Sequence, residues 1–189
     1  MLRTGKAIKS FAAAIMCLAV LTLGAAGAQT EAASQPAREY LIKAAFLYNF
    51  AKFTQWPAGS FADGSTPLSI CVLGEDPFDG ALESLNGKKI RGHPVIIQRI
   101  ATVEAGAACH LLFISASEEA GLPTILDSVA DRPVLTIADF PNFARDGGII
   151  NLKTNKDQKI RFEINIGIAK RAGLKLSSKL LNLAEIISN

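Results

Sequence analysis

The sequence predicts an α/β fold: a single domain with a mostly parallel, twisted sheet flanked by helices in Rossmann-like layers, and an antiparallel hairpin toward the C-terminus. Three observations predict it. Four apolar runs of strand length, 68–73, 94–99, 109–114 and 133–138, are spaced by turns and helical stretches, the rhythm of strand, crossover, strand. Two later runs, 149–153 and 159–165, flank the polar segment 154–158, and Ile160, Phe162 and Ile164 alternate with Arg161 and Glu163, which describes a half-solvated hairpin. Finally, 189 residues that are 49% apolar and 20% charged suffice for one packed core and show no heptad, short glycine period or long polar tract.

The chain opens with an address. Arg3, Lys6 and Lys9 precede an apolar run from Phe11 to Leu23, and Ala26, Gly27 and Ala28 follow at the spacing that signal peptidase requires. A run of that length falls short of the roughly 20 residues needed to span a bilayer. Residues 1–28 are therefore expected to be a cleaved signal peptide, and 29–37 a loose, small and polar N-terminus ahead of a domain over 38–189. The leader carries three bases and no acid, so its removal turns 20 basic and 17 acidic side chains into 17 of each. A neutral domain has no field to attract nucleic acid or anionic lipid. Removal also leaves Cys71 and Cys109 as the cysteines, a disulfide candidate in an oxidising compartment; two separate buried thiols are the other reading.

From Arg38 to Phe53 there is neither glycine nor proline, and helix formers dominate up to the Trp56-Pro57 step. At 100° per residue, Leu41, Ala44, Leu47, Tyr48 and Ala51 share one side, and Ile42, Phe46, Phe50 and Phe53 form a second stripe, with Lys43 in one gap and Asn49 and Lys52 in the other. A helix apolar on two sides either lies between two layers of its own domain or keeps one side for another chain. The second reading makes Ile42, Phe46, Phe50, Phe53 and Trp56 the candidate partner-binding residues. Farther along, 78–85 reads as a short helix and 122–129 as another. Asn165 is placed to cap a helix ending at Gly173, and Ser177 or Ser178 to cap a last helix with Leu180, Leu181, Leu183, Ala184 and Ile187 facing the core.

The chemical inventory is poor. His93 and His110, the two histidines, have no Cys, Asp or Glu at a ligand spacing on their own elements, so no metal site is expected. No Gly-x-Ser-x-Gly elbow is present, and Ser115 and Ser117 read as turn and cap residues. The turn after the first strand has one glycine, Gly74, with Glu75 and Asp76, a poor cradle for a pyrophosphate, so no dinucleotide cofactor is expected. Asp146, Gly147 and Gly148 read as a turn. A small-ligand-binding protein is the alternative reading, with a crevice at the carboxyl ends of the strands near 74–78, 115–117 and 139–143. A hydrolase would need Ser115, Ser117, His93 or His110 to be activated.

The helix block Glu39-Tyr-Leu-Ile-Lys-Ala-Ala-Phe-Leu-Tyr-Asn-Phe-Ala-Lys-Phe53 with its Trp56-Pro57 stop is followed in order by five further blocks. These are Cys71-Val-Leu-Gly74, Cys109-His-Leu-Leu-Phe-Ile114, Asp146-Gly-Gly148 and Arg161-Phe-Glu-Ile-Asn165, and Arg171-Ala-Gly-Leu-Lys-Leu-Ser-Ser-Lys-Leu-Leu181 closes the series. In these the chain resembles the YfiR family of exported bacterial proteins, over about residues 38–187. The resemblance implies a periplasmic α/β protein, dimeric in some members, that is not an enzyme. It implies binding to the periplasmic part of an inner-membrane diguanylate cyclase, which is held inactive, and possible sequestration by an outer-membrane lipoprotein; cysteine oxidation contributes to stability. Ala144 and Asn151 stand where some members carry a second cysteine pair, so redox sensing here would run through Cys71 and Cys109.

Overall fold

The computed structural model describes residues 34–104 and 108–187; the expected signal peptide and the first residues of the loose N-terminus lie outside them. Helix α1, Gln35–Phe53, begins three residues before the onset expected at Arg38. Pro36 sits in its first turn, where a missing N–H costs nothing, and the Arg38 amide donates to the Ser34 carbonyl at 3.0 Å. Thr54 ends it in extended backbone, its hydroxyl donating back to the Phe50 carbonyl at 2.7 Å. The chain then passes through β1 (Thr54–Gln55) and β2 (Leu68–Leu73) to β3 (Lys89–Ile90), β4 (His93–Ile100) and β5 (Leu111–Ile114). Helix α2 (Leu122–Val129), β6 (Leu135–Ala138), β7 (Ile150–Thr154), β8 (Ile160–Asn165) and α3 (Ile166–Arg171) follow, and then β9 (Lys175–Leu176), α4 (Ser178–Leu181) and β10 (Glu185–Ile187).

Eight strands form one sheet in the order β10-β8-β7-β6-β5-β2-β4-β3. The pairs β2/β4, β2/β5, β5/β6, β6/β7 and β8/β10 are parallel, and β3/β4 and β7/β8 antiparallel. This is the expected mostly parallel α/β sheet with its antiparallel hairpin. Strand periodicity divides the core into two layers. Ile70, Val72, Leu111, Phe113, Leu135 and Ile137 face α1 on one side; Cys71, Leu73, Leu112, Ile114 and Ala138 face α2 and the 140–147 loop on the other. A sheet covered on both faces explains why β2, β5 and β6 are buried at every position, with Ser69 and Thr136 their only polar residues.

Four local expectations are corrected. Segment 78–85 is not a helix but turns ending in a 3-10 turn, Glu83–Leu85, because Asp79 and Gly80 take left-handed backbone at φ 44° and 81°; Phe78, Leu82 and Leu85 are buried nonetheless. The hairpin is not half-solvated: β10 lies along β8 with Glu185 opposite Glu163, so β8 is an inner strand, and Glu163 and Asn165 are buried. The last helix stops at Leu181 and gives way to β10, which leaves Leu183 exposed. Leu41, expected on the inner side of α1, is 58% exposed. The two C-terminal caps agree with expectation: the side chains of Asn165 and Ser177 accept from the amides of Ile168 and Leu180.

Candidate functional site

Helix α1 lies against the sheet face that carries Ile70, Phe113 and Ile137, and its aromatic stripe turns mostly inward. Phe50 is fully buried, its ring 5.0 Å from Phe162 and 5.6 Å from Phe46. Trp56 is also buried, its indole N–H donating to the His110 carbonyl at 3.2 Å. These two candidate anchors are taken up by the domain's own core and are not available on its surface; the second apolar side of the helix found a partner in β8, through Phe162. Phe46 and Phe53 are half-buried, and Ile42, at 48%, is exposed beside Leu41. The helix therefore presents a Leu41–Ile42 apolar pair, with the margins of Phe46 and Phe53, as its outward face.

The position of α1 is set by a residue that helical periodicity assigned to a polar gap. Lys43 is 4% exposed. Its Nζ lies 2.6 Å from Asp139 Oδ2 and 2.6 Å from Glu39 Oε1, and 4.3 Å over the Tyr40 ring. Glu39 also accepts from the Thr154 hydroxyl at 2.7 Å. Burial pushes the Glu39 carboxyl up, but the hydrogen bonds from Lys43 and Thr154 outweigh it and hold the group below its ordinary value. Asp139, 96 residues away in sequence, lies just after β6, so the network ties α1 to the carboxyl end of the sheet. Tyr40 packs edge-on to Phe78 at 5.4 Å.

Cys71 and Cys109 are joined, with Cα atoms 6.0 Å apart, in the layer opposite α1. Close by, the Phe61 ring is stacked between His93 at 3.9 Å and His110 at 4.3 Å. His110 Nδ1 accepts from the Ser69 amide at 3.1 Å, which leaves its Nε2–H to donate to the Ser60 carbonyl at 3.0 Å. His93 Nδ1 lies 2.7 Å from the Thr66 carbonyl. Both imidazoles thus fasten the 57–67 loop to the sheet. No group of three or more potential metal ligands occurs among the described residues.

Burial, together with the nearby His93, holds the His110 imidazole below its ordinary value of 6.5, against a smaller upward pull from the Ser60 carbonyl. Below pH 6.5 the unfolded chain takes up the proton more readily than the folded one, so stability is full above 6.5 and declines as pH falls toward the folded-state value. Urea midpoints measured from pH 7.5 to 5 are expected to fall on acidification, and more steeply in the wild type than in His110→Asn. Parallel slopes would contradict this account of the ring.

The first two parts of the crevice expected at the carboxyl ends, near 74–78 and 115–117, are closed by the chain itself. Strand order reverses between β2 and β5, where doubly wound sheets bind ligands. Gly74, at φ 87°, has no room for a Cβ, because Ser117 Oγ and Glu118 occupy that space, and Ser117 Oγ accepts from the Glu75 amide at 3.0 Å. Ser115 is buried with its hydroxyl unpartnered. Asp76 accepts from Arg99 Nε at 2.8 Å. At the third part Asp139 holds Lys43, and Phe140 and Phe143 pack on each other, beside an open cavity of about 370 Å³ lined by Asp139, Phe140, Pro141 and Asn142. Asn151 donates to the Phe140 carbonyl at 2.8 Å and Asn165 to that of Ala144 at 2.9 Å, so buried amides tie this loop down where Ala144 and Asn151 preclude a second disulfide.

With the long aromatic helix, the two-layer sheet and the bridged cysteines in place, residues 40–185 match the YfiR/HmsC-like family. The chain belongs to the YfiR/HmsC-like family. The match begins inside α1 and ends at the first residue of β10, so it takes in the other seven strands of the eight-stranded sheet whole. Among solved structures, the chain is similar to the ABC domain in complex with L-Trp from Streptococcus pneumonia. The two are 12% identical, with a TM-score of 0.45 over 64% of this chain and 55% of that one. That likeness is too distant to assign a ligand or a partner. No helix among the described residues is long and apolar enough to cross a membrane.

Proposed function

We propose that this YfiR/HmsC-like protein is a periplasmic binding regulator that represses an inner-membrane diguanylate cyclase by direct contact and so lowers cyclic di-GMP signalling. Family membership over residues 40–185 carries this reading. It is supported by the apolar pair Leu41 and Ile42, which stands on a helix otherwise committed to the core and anchored by Lys43. A repressor of this kind needs no catalytic group; it binds one conformation of its target more tightly than the other. Shifting a target from 1:99 to 99:1 requires about 5.5 kcal/mol of differential binding; Leu41 and Ile42 are 58% and 48% exposed, so covering them supplies about half of the roughly 1.5–3 kcal/mol of a fully exposed side chain each, and the rest of the contact must supply the remainder. Phe46 and Phe53 contribute at the margin of that surface, and Phe50 and Trp56 support it from beneath. An outer-membrane lipoprotein that covered the same face would relieve repression, and a second copy of the chain would compete for it.

The experiment is inhibition of the membrane-embedded cyclase by added protein, with Leu41→Asp and Ile42→Asp as the surface variants. Both side chains are solvent-facing, so the variants are expected to keep the wild-type unfolding midpoint while inhibition weakens at least tenfold.

A further inference from the structure

Parallel neighbours in a sheet need a crossover, ordinarily a helix. The β5–β6 crossover contains α2, whereas the β6–β7 crossover, residues 139–149, is built of turns without a helix. The sheet face beside α2 is therefore incompletely covered, and a cavity of about 630 Å³ opens there between α2, the crossover loop and α3. Its apolar surfaces come from Leu122 and Leu126 on α2, Val134 and Ile149 at the sheet, Phe140 in the loop and Ile168 on α3. Thr136, at the sheet, accepts from the Ile149 amide at 3.1 Å through its hydroxyl oxygen.

The charge at this opening is one-sided. Glu119, Asp127 and Asp146 line it against the single cation Arg171, and none of the four makes an ion pair among the described residues. Two excess negative charges beside an apolar, low-dielectric wall focus a field that attracts cations. The volume lies within the roughly 300–1,000 Å³ of small-molecule sites, which are mostly apolar with a few polar groups. We propose that this cavity binds a small amphiphilic cation, an amine on an apolar body, with the body on the α2–α3 walls and the ammonium at Asp127 and Asp146. The inference is independent of the partner-docking reading, since no residue that lines the cavity lies on α1.

Three probes of one length separate the contributions: hexylamine, hexanoate and 1-hexanol, titrated into the full chain by calorimetry, with amide chemical shifts followed in parallel. Hexylamine is expected to bind at least tenfold more tightly than hexanoate, with 1-hexanol between them and shifts confined to 119–130, 134–149 and 168–172. Asp127→Asn combined with Asp146→Asn is expected to abolish the preference for the amine while leaving 1-hexanol binding within twofold. Leu126→Trp, which fills the cavity, is expected to weaken all three. Absence of hexylamine binding, hexanoate binding as tight as the amine, or an amine preference that survives the double asparagine variant would overturn the proposal.

Discussion

Lys43→Ala is expected to lower stability by about 3–5 kcal/mol, the cost of removing one partner from a buried ion pair. The side chain of Asp139 is only 6% exposed, and Lys43 Nζ at 2.6 Å is the cation that neutralises it; with the ammonium gone, the carboxylate is left buried without a counter-ion, the neutral Tyr40 hydroxyl remaining as a hydrogen-bond partner. Glu39, at 26%, lies closer to solvent and rehydrates at lower cost. For a chain of this length each kcal/mol moves the midpoint by about 2–4 °C, so a drop of roughly 6–20 °C is expected by calorimetry. Lys52→Ala, on the exposed side of the last turn of α1, is expected to stay within about 0.5 kcal/mol. Removing Asp139 together with Lys43 tests the assignment: Lys43→Met with Asp139→Asn should be clearly less costly than the two single changes added together. Additive losses would mean that the pair does not act as a unit.

Loss of the Cys71–Cys109 bridge is the second large effect. The bridge closes a segment of 38 residues that contains β3 and β4, and in the loop-closure description that cross-link removes chain entropy worth about 4 kcal/mol from the unfolded state. The joined sulfurs also fill space between Leu73, Leu112 and Ile114, so Cys71→Ala with Cys109→Ala adds a packing loss to the entropic one. Urea unfolding with and without a reductant is expected to show a midpoint shift equivalent to about 4 kcal/mol, and the double alanine variant should lose at least as much and respond to reductant no further. A reductant shift that persisted in the double variant would show that another group carries the effect.

The contrast between these two stabilising features shows how far sequence alone reaches. The bridge was legible as an even cysteine pair in a chain expected to be exported, and the sheet was legible because β2, β5 and β6 are apolar at every position but Ser69 and Thr136, the mark of strands covered on both faces. Lys43 was not legible. Helical periodicity put it in a polar gap, and its partner Asp139 is brought to it only by the order of the strands. Glu163 failed for the same reason. Alternation along β8 put it in water, but β10 returns as a neighbouring parallel strand, and Lys153 and Arg145 close over the buried carboxylate. Three residues, Glu185–Ile187, are too few to announce a strand against a background of helix formers.

The candidate surface divides along the same line. Ile42, Phe46, Phe50 and Phe53 do share a helical stripe, but whether a stripe faces solvent depends on what packs there, and Phe162 claims Phe50. Trp56 ends the apolar block in sequence, yet its N–H is spent on the His110 carbonyl. What remains outward is the Leu41–Ile42 pair, of which periodicity identified only Ile42. Of the cavity beside α2 the sequence reading named only the 139–143 segment, through Phe140 and Pro141, since a crossover without a helix shows only as the glycine- and proline-punctuated segment 139–149.

The most direct test is cyclic di-GMP synthesis by a membrane diguanylate cyclase with a periplasmic segment, reconstituted in proteoliposomes that expose that segment to added protein. Titration with the oxidised wild-type chain is expected to suppress synthesis saturably, while Ile42→Asp, folded to the same unfolding midpoint, requires at least ten times the concentration. Synthesis that proceeds unchanged at saturating wild-type protein, or suppression that Ile42→Asp delivers equally well, would contradict repression through this face of α1.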